Sequence, residues 1–417
     1  FKINFYHLFQ SFEAPFTLFT SFQIQNFLKT LMSFCVYGTD VALCNNEHVV
    51  IHNIENGAEN TIRLPDLQTE KKIDSHNNAN IESFHAITNV TFSNDGKYFF
   101  VCTNRKQLCL YERKNRNLLS NRTLARAASK VQFTRSNDIV VADKAGDAYL
   151  FSSSRSDRGI LLLGHLSMML DVLVTENEKY IITTDRDEKI RVSMFPNSYN
   201  IVSYCLGHTK FVTNILELPH DKTVLVSCGG DGVFILWDYE IGKELLSVDF
   251  CNKIPKRDIE KFNQQLQDYH LDESVEILPV KHLRLSALDG TSSLAVMSFY
   301  NNSLLLVYII SGTVKLQFEI TYVQSIVIDD EPLECHLYKD NLWVLSELGF
   351  KVYEFKENNF IPNDKINCKL SQLNNLWKTL RNDSIKQNLF PILYKRKYDN
   401  VQEYLERKKT RLANITE

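Results

Sequence analysis

Residues 206–238 open with Leu206-Gly207-His208 and run through an apolar stretch at 211–218, a polar turn at His220-Asp221-Lys222 and a second stretch at 223–227. They then pass Gly229-Gly230-Asp231-Gly232 and close on Val233-Phe234-Ile235-Leu236-Trp237-Asp238. Val233, Ile235 and Trp237 share one face at a spacing of two, which suits a strand; a helix repeats its apolar face every 3.6 residues. Short apolar runs separated by turn residues predict hairpins. His208, Ser227, Asp231 and Trp237 fall on successive strands and turns, at separations that predict a buried hydrogen-bond chain tying the unit together. The same trio of His, Ser and Asp can serve a hydrolase. Here the serine lies within a strand and lacks the Gly-x-Ser-x-Gly turn that would expose a nucleophile, so a structural role is expected.

The preceding stretch repeats the pattern. Leu163-Gly164-His165 is followed by apolar runs at 171–174 and 180–184, a turn at Glu176-Asn177-Glu178, and Asp185-Arg186-Asp187-Glu188-Lys189-Ile190-Arg191-Val192-Ser193. Gly-His at one end and Trp-Asp at the other, at a period of about 40 residues, is the WD-repeat pattern of four-stranded blades. In this copy His165, Thr183 and Asp187 take the places of His208, Ser227 and Asp231, and Ser193 takes the place of Trp237. A catalytic triad has no need of such duplication. With Trp237 as the ruler, seven equivalents follow: His52, Tyr111, Phe151, Ser193, Trp237, Tyr308 and Tyr353. The long intervals before Tyr111 and Tyr308 carry polar insertions near 57–85 and 251–279, read as surface loops, whose closure entropy grows only logarithmically with length. The expected fold is all-β, a seven-bladed WD-repeat propeller over 32–359, with a short helical, basic C-terminal tail over 360–417.

Composition narrows the function. Against 50 Asp and Glu stand 47 Lys and Arg, a net charge of −3, so the molecule as a whole is neither a basic nucleic-acid clamp nor an acidic tail. Nine cysteines are scattered with no CxxC pair, which argues against a structural zinc site or a disulfide framework and suits a reducing compartment. Glycine-rich phosphate loops and His-Glu-x-x-His are missing, and no βαβ alternation offers a place for S-adenosylmethionine. A binding surface is therefore expected, with no cofactor, no metal and no catalytic residues in this chain. Residues 1–31 hold eight phenylalanines and begin on Phe1. Polar residues interrupt the apolar run, and it lacks the basic flank and cleavage site of a signal peptide. It reads as sequence upstream of a native start at Met32, the competing reading being a Phe-rich arm on the fold. Residues 32–37 read as an edge strand.

The tail changes character. Residues 371–378 look helical, and 394–411 carry seven Lys or Arg against three Asp or Glu. Val401, Tyr404 and Leu405 form an apolar stripe behind Asn400 as a helix cap. Lys395, Arg396, Lys397, Arg407, Lys408 and Arg411 are candidates for phosphate contacts to RNA, the plain alternative being a solvated helix end.

Residues 141–147, 162–168, 180–193 (with the string Asp185-Arg186-Asp187-Glu188-Lys189-Ile190-Arg191), 204–208 and 398–409 resemble the WD-repeat non-catalytic subunit of tRNA (guanine-N7)-methyltransferase. The resemblance is tight from 140 to 244 and at the tail, and loose in the first and last two blades. It implies a scaffold subunit of a heterodimer, in which a separate catalytic subunit holds S-adenosylmethionine and forms N7-methylguanosine in the tRNA variable loop. It also implies residence in the nucleus, with the cytoplasm as a second compartment, and tRNA reached mainly through the complex, with no membrane. Arg186, Glu188, Lys189 and Arg191 cluster at and after a turn in the blade that breaks its own rule at Ser193. They are the expected partner-binding set, with Lys144 on the turn one blade earlier; a solvated charged turn is the alternative. The rival reading of the whole chain is a substrate adaptor of a ubiquitin ligase, or another generic interaction scaffold.

Overall fold

A computed structural model describes residues 34–44, 48–66, 87–154, 158–268, 274–314, 316–382 and 393–394. The Phe-rich stretch 1–31, Met32 and all six basic tail candidates lie outside the described residues. Four-stranded antiparallel sheets recur seven times, over 34–63, 87–123, 128–164, 169–205, 212–249, 280–327 and 332–362, each with its strands paired in chain order. These are blades 1 to 7, with strands a to d running from the axis outward. Strand a of blade 1, Phe34–Tyr37, lies against the a strands of both blade 2 and blade 7, so the ring is closed. It is the terminal strand of its sheet, yet it sits at the axis and is largely buried. All seven residues equated with Trp237 fall on the c strand of their blade.

The sequence of strands b and c explains the stacking. In Tyr98–Thr103 the run Phe99-Phe100-Val101-Cys102 is apolar throughout, because both faces of a blade are covered by neighbours. Phe99 and Val101 join the core shared with blade 1, while Phe100 and Cys102 join the core shared with blade 3. One such apolar cluster fills each of the seven junctions. The d strands are outermost and carry most of the exposed positions, as the pattern of Glu59–Arg63 shows. Turns between strands a and b form a belt on one end of the ring. There Asn137 donates to Asp95 at 3.0 Å, the Ser136 N–H to Glu178 at 2.7 Å and the Glu176 N–H to Glu217 at 2.8 Å.

Three expectations need correction. The insertion near 57–85 begins later than expected, since Glu59–Arg63 is strand d of blade 1. The insertion at 251–279 is not a plain loop: a 3-10 turn, Cys251–Lys253, leads into helix α1, Lys256–Asp268. Ile259, Phe262 and Leu266 share one face of α1, and Phe262 and Leu266 are buried in the core between blades 5 and 6. The last blade also ends later than 359, on strand Asn359–Pro362.

After Pro362, Asn363 caps the short helix α2, Asp364–Asn367, by accepting the Ile366 N–H, and α3, Ser371–Asn382, follows. Leu373, Trp377 and Leu380 recur on one face of α3 and bury themselves among Phe34, Leu43 and Val50 of blade 1 and Trp343, Phe350 and Val352 of blade 7. The Trp377 indole donates to the Glu347 carbonyl at 3.2 Å, and Asn374 accepts the Phe350 N–H at 2.7 Å. The helix therefore fills the junction between the last and first sheets. Trp377→Ala should lower unfolding stability by about 3–5 kcal/mol, read as a fall in the urea midpoint; an unchanged midpoint would mean that α3 contributes nothing to closure.

Candidate functional site

Blade 5 supplies the reference geometry, with strands Val212–Leu218, Asp221–Gly229, Val233–Asp238 and Lys243–Asp249. Trp237 Nε1 donates to Ser227 Oγ at 2.7 Å, Ser227 Oγ lies 2.7 Å from His208 Nε2, and His208 Nδ1 lies 2.8 Å from Asp231 Oδ2. The indole can only donate, and the carboxylate only accepts when ionised. Ser227 therefore passes its proton toward Nε2, and Nδ1–H points at Asp231. Burial alone would raise the Asp231 pKa; the bond from His208 and the N–H groups of Thr209 and Val233 hold it below the ordinary value. Every polar atom of the chain is occupied and Ser227 is wholly buried, so the arrangement offers no open nucleophile. It staples the turn that precedes the blade to its strands.

Blade 4, with strands Met169–Val174, Tyr180–Asp185, Ile190–Met194 and Ile201–Cys205, departs from this in two ways. The carboxylate on His165 is Asp185 (2.8 Å), with Thr183 on the other ring nitrogen (2.8 Å); Asp187, the expected partner, instead sends its backbone N–H to Asp185 Oδ1 at 2.7 Å. Two acids within three residues can both reach the histidine, and the strand-end position wins. Burial works to raise the Asp185 pKa, but His165, the Asp187 N–H and the charge of Lys189 bring it below the ordinary value.

The second departure concerns Arg191. In blade 5 the Trp237 ring rests on Gly207, where an added Cβ would come within 2.9 Å of it. In blade 4 Ser193 stands in place of the tryptophan, and the Arg191 guanidinium turns toward it. Nε donates to Ser193 Oγ at 3.0 Å, Nη2 to the Ser198 carbonyl at 3.1 Å and Nη1 to the Gly164 carbonyl at 3.4 Å. Gly164 is the counterpart of Gly207. Arg191 is thus tied to Ser193 and Ser198 of its own blade and to the edge of blade 3 at Gly164. Neither Asp185 nor Ser198 was among the residues singled out from sequence; a second acid two residues before Asp187 was the available signal for the first, and Ser198 gave none.

The turn between strands b and c of blade 4 carries Arg186, Asp187, Glu188 and Lys189, with Glu188 in the left-handed region at φ 64°. The corresponding turn of blade 3 carries Lys144, held by Asp143, whose Oδ1 accepts the N–H groups of Ala145 (2.8 Å) and Asp147 (3.0 Å). Both turns lie at the same end of adjacent blades, so Lys144 joins Arg186, Glu188 and Lys189 on one surface, with Lys144 and Lys189 exposed. This end of the ring is a charged surface on a closed frame.

The model of the tRNA methyltransferase TRM82 WD40 domain matches residues 52–158 and 157–345. The chain is 33% identical over 333 residues to a tRNA (guanine-N(7)-)-methyltransferase non-catalytic subunit of Xenopus laevis, covering 78% of this chain and 79% of that one. To the human subunit of that name it is 32% identical over 334 residues, covering 77% and 76%, and to the wuho subunit of Aedes aegypti 33% over 312 residues, covering 71% and 69%. Among solved structures, a chain of the mitotic checkpoint complex matches with a TM-score of 0.59 at 15% identity, covering 79% of this chain and 91% of that chain, which is a likeness of fold alone. A WD-repeat propeller with a charged end is the class of protein that the fold and this surface define. The chain belongs to the family of non-catalytic subunits of tRNA (guanine-N7)-methyltransferase, and the ubiquitin-ligase adaptor reading gains no support.

Asp185→Ala should cost about 1–3 kcal/mol by leaving His165 without its acceptor. Because the folded pKa of Asp185 is depressed, its contribution is complete above about pH 4 and is lost as pH falls toward the folded value. Stability profiles from neutral to acid pH should therefore be shallower for Asp185→Ala than for the native chain; superimposable profiles would remove Asp185 from this role.

Proposed function

We propose that the chain forms a heterodimer with the catalytic subunit of tRNA (guanine-N7)-methyltransferase and docks it on the b–c turns of blades 3 and 4. The partner would hold S-adenosylmethionine and carry out methyl transfer, while this ring fixes its position. The observation that carries the reading is the pair of adjacent stapled turns bearing Lys144 and Lys189. A turn pinned by His165 and Asp185 presents its charge with little left to order on binding, which limits the entropic cost of association. Lys144 and Lys189 meet carboxylates of the partner, with Arg186 and Glu188 beside them, and Arg191 acts from beneath by shaping the blade. RNA phosphates are met by Lys395, Arg396, Lys397, Arg407, Lys408 and Arg411. Family membership supports residence in the nucleus.

Lys189→Glu should keep the isolated chain folded, with a small fall in melting temperature because Asp185 loses a favourable charge, and should weaken binding to the purified catalytic subunit about tenfold at low salt, with a smaller effect at high salt. Arg191 is a poorer probe, since its loss disturbs the blade as well as the contact. Unchanged affinity at both salt concentrations would sink this docking assignment. Deleting residues 395–417 from the complex should flatten the dependence of tRNA affinity on salt, because each lost phosphate contact removes a released counterion; an unaltered slope would exclude the tail.

A further inference from the structure

We infer that the outer edges of blades 3 and 4 form an apolar strip that the catalytic subunit covers, so that burial holds the complex and the charged turns align it. This rests on the reading above that the catalytic subunit is the partner.

The d strand of a blade pairs on one side only, and natural sheets protect such edges with charged or polar side chains. Within this ring the same position can be compared from blade to blade. The edge of blade 1 exposes Glu59, Thr61 and Arg63, and that of blade 5 exposes Lys243, Glu244, Ser247 and Asp249. The edge of blade 2 exposes Leu118 (44%) and Leu119 (43%), that of blade 3, Ile160–Gly164, exposes Ile160 (65%) and Leu161 (57%), and that of blade 4 exposes Ile201 (46%), Val202 (39%) and Tyr204 (42%); the edges of blades 3 and 4 are the two that adjoin the turns bearing Lys144 and Lys189. In each of these strands two consecutive apolar residues are uncovered, so alternation cannot account for them, although Leu163 and Cys205 further along are buried. Leaving large apolar side chains in water is unfavourable in proportion to their area, and a cluster of them marks an interaction surface.

The strip is continuous with the turns assigned to the partner. Leu166 and Leu206, both exposed, sit where the chain leaves each edge toward the b–c end. The His165 N–H donates to the Gly146 carbonyl at 2.8 Å, and a Cβ on Gly146 would come within 2.6 Å of the His165 carbonyl oxygen, so the segment bearing Leu166 lies directly against the Lys144 turn. Tyr204 is the register partner of Arg191 in the next strand. The surface that fits is therefore an apolar ridge bordered by carboxylates at one end, offered by the same subunit that meets Lys144 and Lys189.

The test uses the full chain with Ile160→Ser and Ile201→Ser combined, Tyr204→Ser alone, and Lys189→Glu, each titrated with purified catalytic subunit at low and high salt. The side chains changed in the strip are solvent-exposed, so melting temperatures should stay at the native value. Both strip variants should weaken binding, the double variant about tenfold or more as expected of central apolar contacts, and equally at both salt concentrations, whereas the Lys189→Glu effect shrinks at high salt. If only Lys189→Glu weakens binding, the strip is overturned while the docking reading stands. If none of the variants does, both fall. A self-associated chain that the double variant turns into a monomer, with affinity for the catalytic subunit intact, would give the strip to a second copy and overturn the inference.

Discussion

A four-stranded sheet that is apolar on both faces has no stable life alone. Phe99 and Val101 need one neighbour, and Phe100 and Cys102, from the same strand, need another. Seven such sheets meet this demand only by closing into a ring, in which each junction holds its own cluster and no face is left wet. Six junctions join consecutive stretches of chain. The seventh, between blades 7 and 1, brings together residues from opposite ends of the ring and receives an extra wedge in α3, whose Trp377 is wholly buried there. The stiffness of the charged turns descends from that closure, because a turn is only as fixed as the strands it joins.

The fourth blade shows how a repeat can be altered without being lost. Ser193 stands where blade 5 has an indole, and Arg191 turns onto it a planar group that hydrogen-bonds along its edge. A half-buried cation thereby ties strand c to the loop holding Ser198, a few residues from the exposed Lys189. Arginine suits this use because its flat guanidinium offers five donors in a fixed fork and is less strongly hydrated than an ammonium.

How much of this could be read from the chain depends on how rigidly each feature constrains spacing. The blades were legible because a hydrogen-bond chain from Trp237 to Asp231 works only when its members sit at set positions, and those positions recur through the sequence. Asp187 misled because Asp185 stands two residues away with the same chemistry, and only the geometry of the strand end separates them. Helix α1 was hidden by its polar composition, although Ile259, Phe262 and Leu266 at helical spacing were a signal for it. The turn of Arg191 toward Ser193 was not legible: sequence marks it as a charge near a turn, and nothing local tells that its guanidinium goes to the residue standing in place of a tryptophan. The apolar edges of blades 3 and 4 were visible as Ile160-Leu161 and Ile201-Val202, but become informative only once those residues are known to be outermost.

Each blade is built from one uninterrupted stretch of chain, and no strand is exchanged between the first and the last. A ribosome making the protein from its amino end can release one finished blade after another, yet the helix that fills the final gap emerges only after all seven. Until then the nascent molecule is an open arc with the flank of its first sheet bare to water. Its final folding event joins the two ends of the arc across nearly the whole propeller, and because the entropy of such a join rises only with the logarithm of its span, a long ring is scarcely harder to shut than a short one.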